Sequence, residues 1–186
     1  MTDAPLRIDW LAGPLRGTVG GRLGLTILPG KHGPSSRYPG RVYRRDLGAD
    51  VGELLEQGVR RLILLIEDAE MHRWGEPDLV ERAAALGIEV LRHPIPDGGT
   101  PTSLGEMDRI LEEIDGGRAS GNVAVACMGG IGRSGLVAAC ALVAAGMRPD
   151  EAVGQVRRVR HPEAVETAAQ CAFVDAYAAR VAASGS

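Results

Sequence analysis

Apolar residues in this chain fall either in short unbroken runs or in longer stretches where they recur every three or four positions, and the two patterns take turns. Arg61–Ile66 is a near-continuous apolar run, suited to a strand buried on both faces of a sheet. Ile88–Arg92 and Asn122–Ala126 have the same character, while Leu6–Leu11 and Leu23–Leu28 read as shorter extended pieces. A Gly/Pro/Ser-rich stretch, Pro29–Gly40, predicts a mobile loop. Helical patterns lie between the later runs. The first starts at a cap formed by Asp46 or Asp50 and reaches Gln57, with Val51, Leu54 and Leu55 on one face. Pro77–Leu86 has proline in its first turn and Gly87 as its stop. Ser103 opens the next helix, and Glu106 three residues on completes a capping-box pattern. An alanine-rich helix over Ser134–Ala145 follows, then two more near Pro149–Arg160 and Val165–Val181. This order predicts an α/β fold: a single domain whose central, mostly parallel sheet is flanked by helices. Ligands bind such sheets at the carboxyl ends of the strands, where the glycine-rich segments His93–Gly99 and Cys127–Gly135 fall.

Composition narrows the classes. With 186 residues, 45% hydrophobic and 24% charged, the chain has material for one sizeable core and does not read as disordered. A formal charge of −3 supplies no basic field for nucleic acid or an anionic membrane. Val123–Met147 is almost wholly apolar, but Arg133 near its middle would cost about 2.5–3.5 kcal/mol in lipid. It reads instead as a buried strand, a loop and a buried helix. The N-terminus carries Asp3, Arg7 and Asp9 where a secretory leader would have a basic start and an apolar run. Three cysteines, at 127, 140 and 171, are an odd number without the close pairing of structural zinc. A reducing cytosol suits them, with Cys140 and Cys171 as core cysteines on helices. Lys31 is the single lysine; arginine supplies the other cationic side chains, which hints at a GC-rich genome.

One segment changes the picture. Cys127-Met128-Gly129-Gly130-Ile131-Gly132-Arg133-Ser134-Gly135 joins a strand to a helix and pairs a cysteine with an arginine six positions on. A phosphoryl dianion needs several backbone N–H groups converging on it, and glycines let the chain curl tightly enough to supply them. The helix N-terminus adds free N–H groups and the positive end of its dipole. Arg133 can hold two phosphoryl oxygens side by side, and the same dipoles favour a nucleophilic Cys127 thiolate. A buried structural cysteine beside a helix cap is the bland alternative. Gly130–Gly135 also spells G-x-G-x-x-G, but no further strand follows the helix to complete a dinucleotide site. A Walker loop is excluded because arginine stands where lysine is required.

A thiolate phosphatase also needs a proton for its leaving group, from an acid on a movable loop. Asp97 follows the Ile88–Arg92 strand and is followed by Gly98-Gly99, which makes it the candidate. On spacing alone, Pro96-Asp97-Gly98 as a simple turn stands equally well.

These residues resemble the Cys-x5-Arg-Ser/Thr phosphatases of the protein tyrosine and dual-specificity class, and within it the kinase-associated phosphatase, or cyclin-dependent kinase inhibitor 3, group. The similarity runs through Ile8–Leu11, Leu23–Gly30, the spacing of Glu70 to Pro77, His93–Pro101, Cys127–Cys140, Thr167 and Gln170. The resemblance implies a dual-specificity-phosphatase-like fold over residues 1–186; the composition itself gives an extended segment and loop at 1–40 and a flexible Ala/Ser/Gly tail at 182–186. It implies Cys127 as nucleophile and Arg133 as phosphoryl clamp. The loop from Met128 through Gly129, Gly130, Ile131 and Gly132 would bind phosphate. It implies Asp97 as general acid and then base, and Ser134 as the hydroxyl that helps the thiolate leave. Glu70 and Gln170 are accessory candidates; for Gln170, positioning water and an ordinary place on the helix surface stay open. No metal or cofactor is implied, since Arg133 and the amides carry the charge. The chain departs from the group at Ala126, where a histidine usually precedes the cysteine and helps depress its pKa.

The implied activity is cytoplasmic hydrolysis of phosphomonoesters on a phosphorylated protein or peptide, through a phosphocysteine. The loop interior lacks lysine and arginine, which disfavours inositol phosphates, and no aromatic phosphotyrosine-recognition loop is visible. A small phosphorylated metabolite, a weak or inactive phosphate-binding docking module and a rhodanese-like sulfur carrier are the alternatives. Arg157-Arg158-Val159-Arg160-His161 reads either as a phosphopeptide dock or as cations suited to a helix C-terminus. His72 and Trp74 fit the rim of the site or plain surface equally.

Overall fold

A computed structural model describes residues 4–17 and 20–184. Asp3 and the last two positions of the expected tail therefore lie outside the described residues. The main sheet has the strand order β1-β2-β7-β5-β6, formed by β1 (Asp9–Trp10), β2 (Leu23–Ile27), β5 (Val59–Leu64), β6 (Glu89–Arg92) and β7 (Asn122–Cys127). Only the β1–β2 pair is antiparallel; β2–β7, β7–β5 and β5–β6 are parallel. β7 is the central strand, and Val123 to Cys127 are buried, which explains their unbroken apolar run. Helices α4 (Leu104–Arg118), α5 (Arg133–Ala144), α6 (Pro149–Val159) and α7 (Ala168–Ser184) form one packed group. A second group comprises α1 (Leu47–Glu56) and α3 (Leu79–Ala85).

Several boundaries move for identifiable reasons. Asp46, not Asp50, caps α1 by accepting the Ala49 N–H; Asp50 is buried and bound to Arg45 at 2.7 Å. The loop expected over Pro29–Gly40 contains half of a small hairpin, β3 (His32–Pro34) with β4 (Val42–Arg44). Gly33 permits it: a side chain there would meet the Trp74 ring, so the hairpin lies against α2 (Asp68–Trp74). α2 itself carried no helical period, because Met71 is its one buried residue. The last helix starts at Ala168, not Val165. Val165 is buried with φ +60, outside helical space, and Thr167 Oγ caps the helix by accepting the Gln170 N–H at 3.1 Å. At its other end α7 continues through Ala182–Ser184, so that part of the expected tail is helical.

Because β2, β7, β5 and β6 run parallel, their carboxyl ends share one edge of the sheet. Lys31 after β2, Glu70 after β5, Asp97 after β6 and Cys127 at the end of β7 arrive there together. Among the described residues no helix is long and apolar enough to cross a membrane.

Candidate active site

Cys127 ends the central strand and is 3% exposed. Its Sγ accepts the Gly130 N–H at 3.2 Å. The turn that follows is held open from outside. Lys31 Nζ donates to the Met128 carbonyl at 3.2 Å, and Arg160 donates to the Gly129 and Gly130 carbonyls, each at 2.9 Å. The Ile131 carbonyl takes the N–H groups of Gly135 and Val165, at 3.2 and 3.3 Å. In a trans peptide the carbonyl and the next N–H point in opposite directions. Tying these four carbonyls outward therefore turns the amides of Gly129, Gly130, Ile131 and Gly132 toward the inside of the loop. That is a cradle for a phosphoryl group. Gly130 has φ +67, and a side chain there would run into the Thr26 backbone carbonyl. Gly130→Ala is expected to cost about 2 kcal/mol by combined strain and clash, read as a lower midpoint of thermal unfolding, and to depress turnover with it.

Burial works against a Cys127 thiolate, but the Arg133 charge, the Ser134 hydroxyl and amide, and the Gly129 amide outweigh it and hold the thiol below its ordinary pKa. Ser134 Oγ is fully buried with no other hydrogen-bond partner. The Cys127 sulfur is the group that can use its proton.

Arg133, the first residue of α5, is 1% exposed and nearly saturated. Nη1 and Nη2 grip both oxygens of Glu70, at 2.6 and 2.7 Å. The remaining donors of those nitrogens reach the Ile95 carbonyl at 2.9 Å and Asp97 Oδ1 at 3.0 Å. Glu70 is fixed in turn: it accepts the Glu67 N–H in the capping box that opens α2. Burial would raise the Glu70 pKa, but the hydrogen bonds from Arg133 and Glu67 prevail and hold it below the usual carboxylate range. Asp97, by contrast, is 79% exposed, on a turn where Gly98 has φ +71. The turn is moored to the start of α7: Thr167 Oγ donates to the Gly98 carbonyl at 2.9 Å, and Gln170 Nε2 to the Gly99 carbonyl at 3.0 Å.

The structure thus brings Cys127, Arg133, Asp97, Ser134, Glu70 and the whole Met128–Gly132 loop to one place. Gln170 is fully buried, which overturns its placement on a helix surface. Its Oε1 accepts the Glu166 N–H and its Nε2 holds the acid loop. The basic run divides. Arg160 serves the loop carbonyls and pairs with Asp9 at 2.5 Å, whereas Arg158 turns to Gln155. Neither His72 nor Trp74 lines the cavity above Cys127, which measures about 770 Å³. Several groups in or beside it carry no sequence motif, among them Arg41 and Tyr43 of the hairpin side, Lys31 and Glu166. Lys31 carried a signal, as a lone lysine just after a strand, that was read only as composition. Glu166 sits against Gly132 and pairs with Arg37, and nothing in its local sequence announces this.

A cysteine at the end of the central parallel strand, an amide-lined loop and an arginine opening the next helix define a cysteine-dependent phosphatase of the protein tyrosine and dual-specificity class. The chain belongs to the cyclin-dependent kinase inhibitor 3 family, whose model matches residues 2–153. Cyclin-dependent kinase inhibitor 3 of Rattus norvegicus is 32% identical over 185 residues, spanning 97% of this chain and 82% of that protein. A crystal structure of kinase-associated phosphatase, with serine substituted for its catalytic-site cysteine, superposes with a TM-score of 0.82 at 29% identity, covering 97% of this chain and 98% of that one. The crystal structure of Tk-PTP in its active form gives 0.67 at 30% identity, over 87% and 94% of the two chains.

Proposed function

We propose that the protein removes phosphoryl groups from phosphorylated protein or peptide side chains, with Cys127 as nucleophile and Asp97 as proton donor. The observation that carries this is the Cys127 sulfur seated under inward-facing amides, with Arg133 beside it. The Cys127 thiolate attacks phosphorus; the S–P bond forms as the ester P–O bond breaks, and the Asp97 carboxyl protonates the departing oxygen. The loop amides and Arg133 neutralise charge on the non-bridging oxygens. Water then attacks the phosphocysteine, giving its proton to the Asp97 carboxylate. The S–P bond breaks, inorganic phosphate leaves, and Ser134 Oγ–H stabilises the returning thiolate. Glu70 keeps Arg133 oriented throughout. Acid quenching of wild type with p-nitrophenyl phosphate, followed by peptide mass analysis, tests the assignment. One phosphoryl group on the Cys127 peptide is expected; a phosphoryl group elsewhere, or turnover without any, sinks it.

Asp97 occupies a donor on Arg133 that a substrate oxygen would use, so it must swing away for chemistry. Asp97→Asn is expected to lower kcat by about 10²–10⁴-fold, the usual worth of a positioned acid, while KM falls because a competing anion is gone. Steady-state kinetics with p-nitrophenyl phosphate separates the two parameters.

Burial lowers Lys31 to a pKa of about 8, against the pull of the Cys127 thiolate. Lysine is charged below its pKa, so this cation is present at neutrality and lost as pH rises through about 8. The alkaline limb of kcat/KM is expected to contain a step near that pH, absent from the profile of Lys31→Met.

A further inference from the structure

The cavity above Cys127 is lined by more positive charge than the phosphoryl cradle uses. Arg133, Arg160 and Arg37 are committed to Glu70, Asp9 and the Glu163–Glu166 pair. Two cations on the hairpin side are not. Lys31 Nζ lies 4.0 Å from the centroid of the Tyr43 ring, and Arg41 Cζ lies 4.6 Å from the same centroid. Both face the cavity, and among the described residues neither has a carboxylate within salt-bridge distance, although Asp97 and Glu70 act on Lys31 from farther away. Lys31 is 5% exposed, and its one hydrogen bond goes to the neutral Met128 carbonyl. Two like charges held against one aromatic ring repel each other, and burial of the Lys31 ammonium is unfavourable even with the Cys127 thiolate drawing it. An anion from solution, bound beside these cations in the cavity that also holds the cradle, relieves the arrangement.

We propose that Lys31 and Arg41, set on the Tyr43 ring, form a second anion subsite that selects peptides carrying an acidic side chain or a second phosphoryl group beside the phosphorylated residue. The proposal rests on the phosphatase reading and adds its substrate class. A peptide fits better than an anionic bilayer, because the chain is itself net negative at −3 and Asp97 and Glu166 share the cavity mouth.

The test compares kcat/KM on four soluble phosphopeptides that differ at the neighbouring position: neutral, aspartate, phosphoserine and lysine. Wild type is expected to prefer the two anionic peptides over the neutral one by about five- to tenfold at low salt, with the margin shrinking as salt rises. Doubly charged phosphoserine ranking above aspartate would favour a bisphosphorylated substrate; equal ranking would favour an acidic flank. Arg41 is exposed, so Arg41→Glu should fold, and it is expected to invert the order in favour of the lysine peptide. Rates on all four peptides within twofold of one another overturn the subsite. So does an order unchanged by Arg41→Glu, or faster turnover of a soluble inositol bisphosphate than of every peptide. Absence of turnover on any substrate fails the phosphatase reading itself, which wild-type activity on the neutral peptide establishes separately.

Discussion

Cys127→Ser is expected to abolish turnover of p-nitrophenyl phosphate, by on the order of 10⁴-fold or more, while leaving the fold and phosphate binding intact. The size of the effect follows from the acidity of the two groups. Everything around Cys127 is arranged to favour an anion: the Arg133 charge, the Ser134 hydroxyl and amide, and the Gly129 amide overcome the burial of the sulfur. The same surroundings acting on a serine hydroxyl start from a far weaker acid, and among the described residues no histidine is hydrogen-bonded at this position to compensate. Oxygen is smaller than sulfur, so the variant should pack without strain, and the solved kinase-associated phosphatase with serine at its catalytic-site cysteine keeps the same fold. Calorimetric titration with inorganic phosphate and parallel activity assays check the two halves. Residual activity above a hundredth of wild type would mean that another group carries the chemistry.

The second large effect is expected at a residue that need not touch substrate. Glu70→Gln removes the negative charge that both terminal nitrogens of Arg133 hold at 2.6 and 2.7 Å. Arg133 is 1% exposed, and a buried cation stripped of its partner destabilises by about 3–5 kcal/mol. Glu70 is 16% exposed, so the lower end, about 3 kcal/mol, applies, and the midpoint of thermal unfolding should drop by roughly 6–12 °C. The glutamine amide would also point a donor at a donor. Arg133 would then turn further toward Asp97, its other anionic partner, and kcat/KM should fall by about 10²-fold even at temperatures where the variant is folded. A loss of stability with full activity would reduce Glu70 to packing; a loss of activity alone would show that Arg133 finds another counter-charge.

Much of the fold could be read in advance, and the reason lies in local pattern. β7, the glycine-rich loop and α5 form one contiguous stretch in which an apolar run, tight-turn residues and an alanine-rich helix follow each other, and this stretch supplies the amides of the phosphoryl cradle. α4 announced itself through Ser103 and Glu106. What escaped depends on contacts between distant residues. α2 buries only Met71 and so has no apolar face to detect. β3, His32–Pro34, has no strand-like composition and β4 is only three residues long, and the hairpin stays in place because Gly33 lets Trp74 lie against its backbone. Val165 was read as the start of a helix because valine at positive φ is disfavoured and local rules do not anticipate it. The true start was written in Thr167-x-x-Gln170, a capping box masked by the apolar residues before it. Lys31 reaches the catalytic loop across 97 positions of sequence, and single residues at that separation leave no period or motif.

That reach has a kinetic consequence. The loop carbonyls are held by Lys31, Gly135, Arg160 and Val165, so donors from both ends of the chain must dock before the amides can turn inward. β7 also enters the sheet between β2 and β5, pairing Val123 with Leu23 and Ala124 with Leu62, residues far apart in the chain. Contacts this distant close large loops of chain and form slowly. Refolding followed by tryptophan fluorescence should therefore regain compactness before it regains phosphate binding. Under native conditions the exchange of the Gly129–Gly132 amides with solvent should report openings of the Lys31 hairpin and the 160–165 segment, smaller than global unfolding, in which the sheet persists while the anion site has already dissolved.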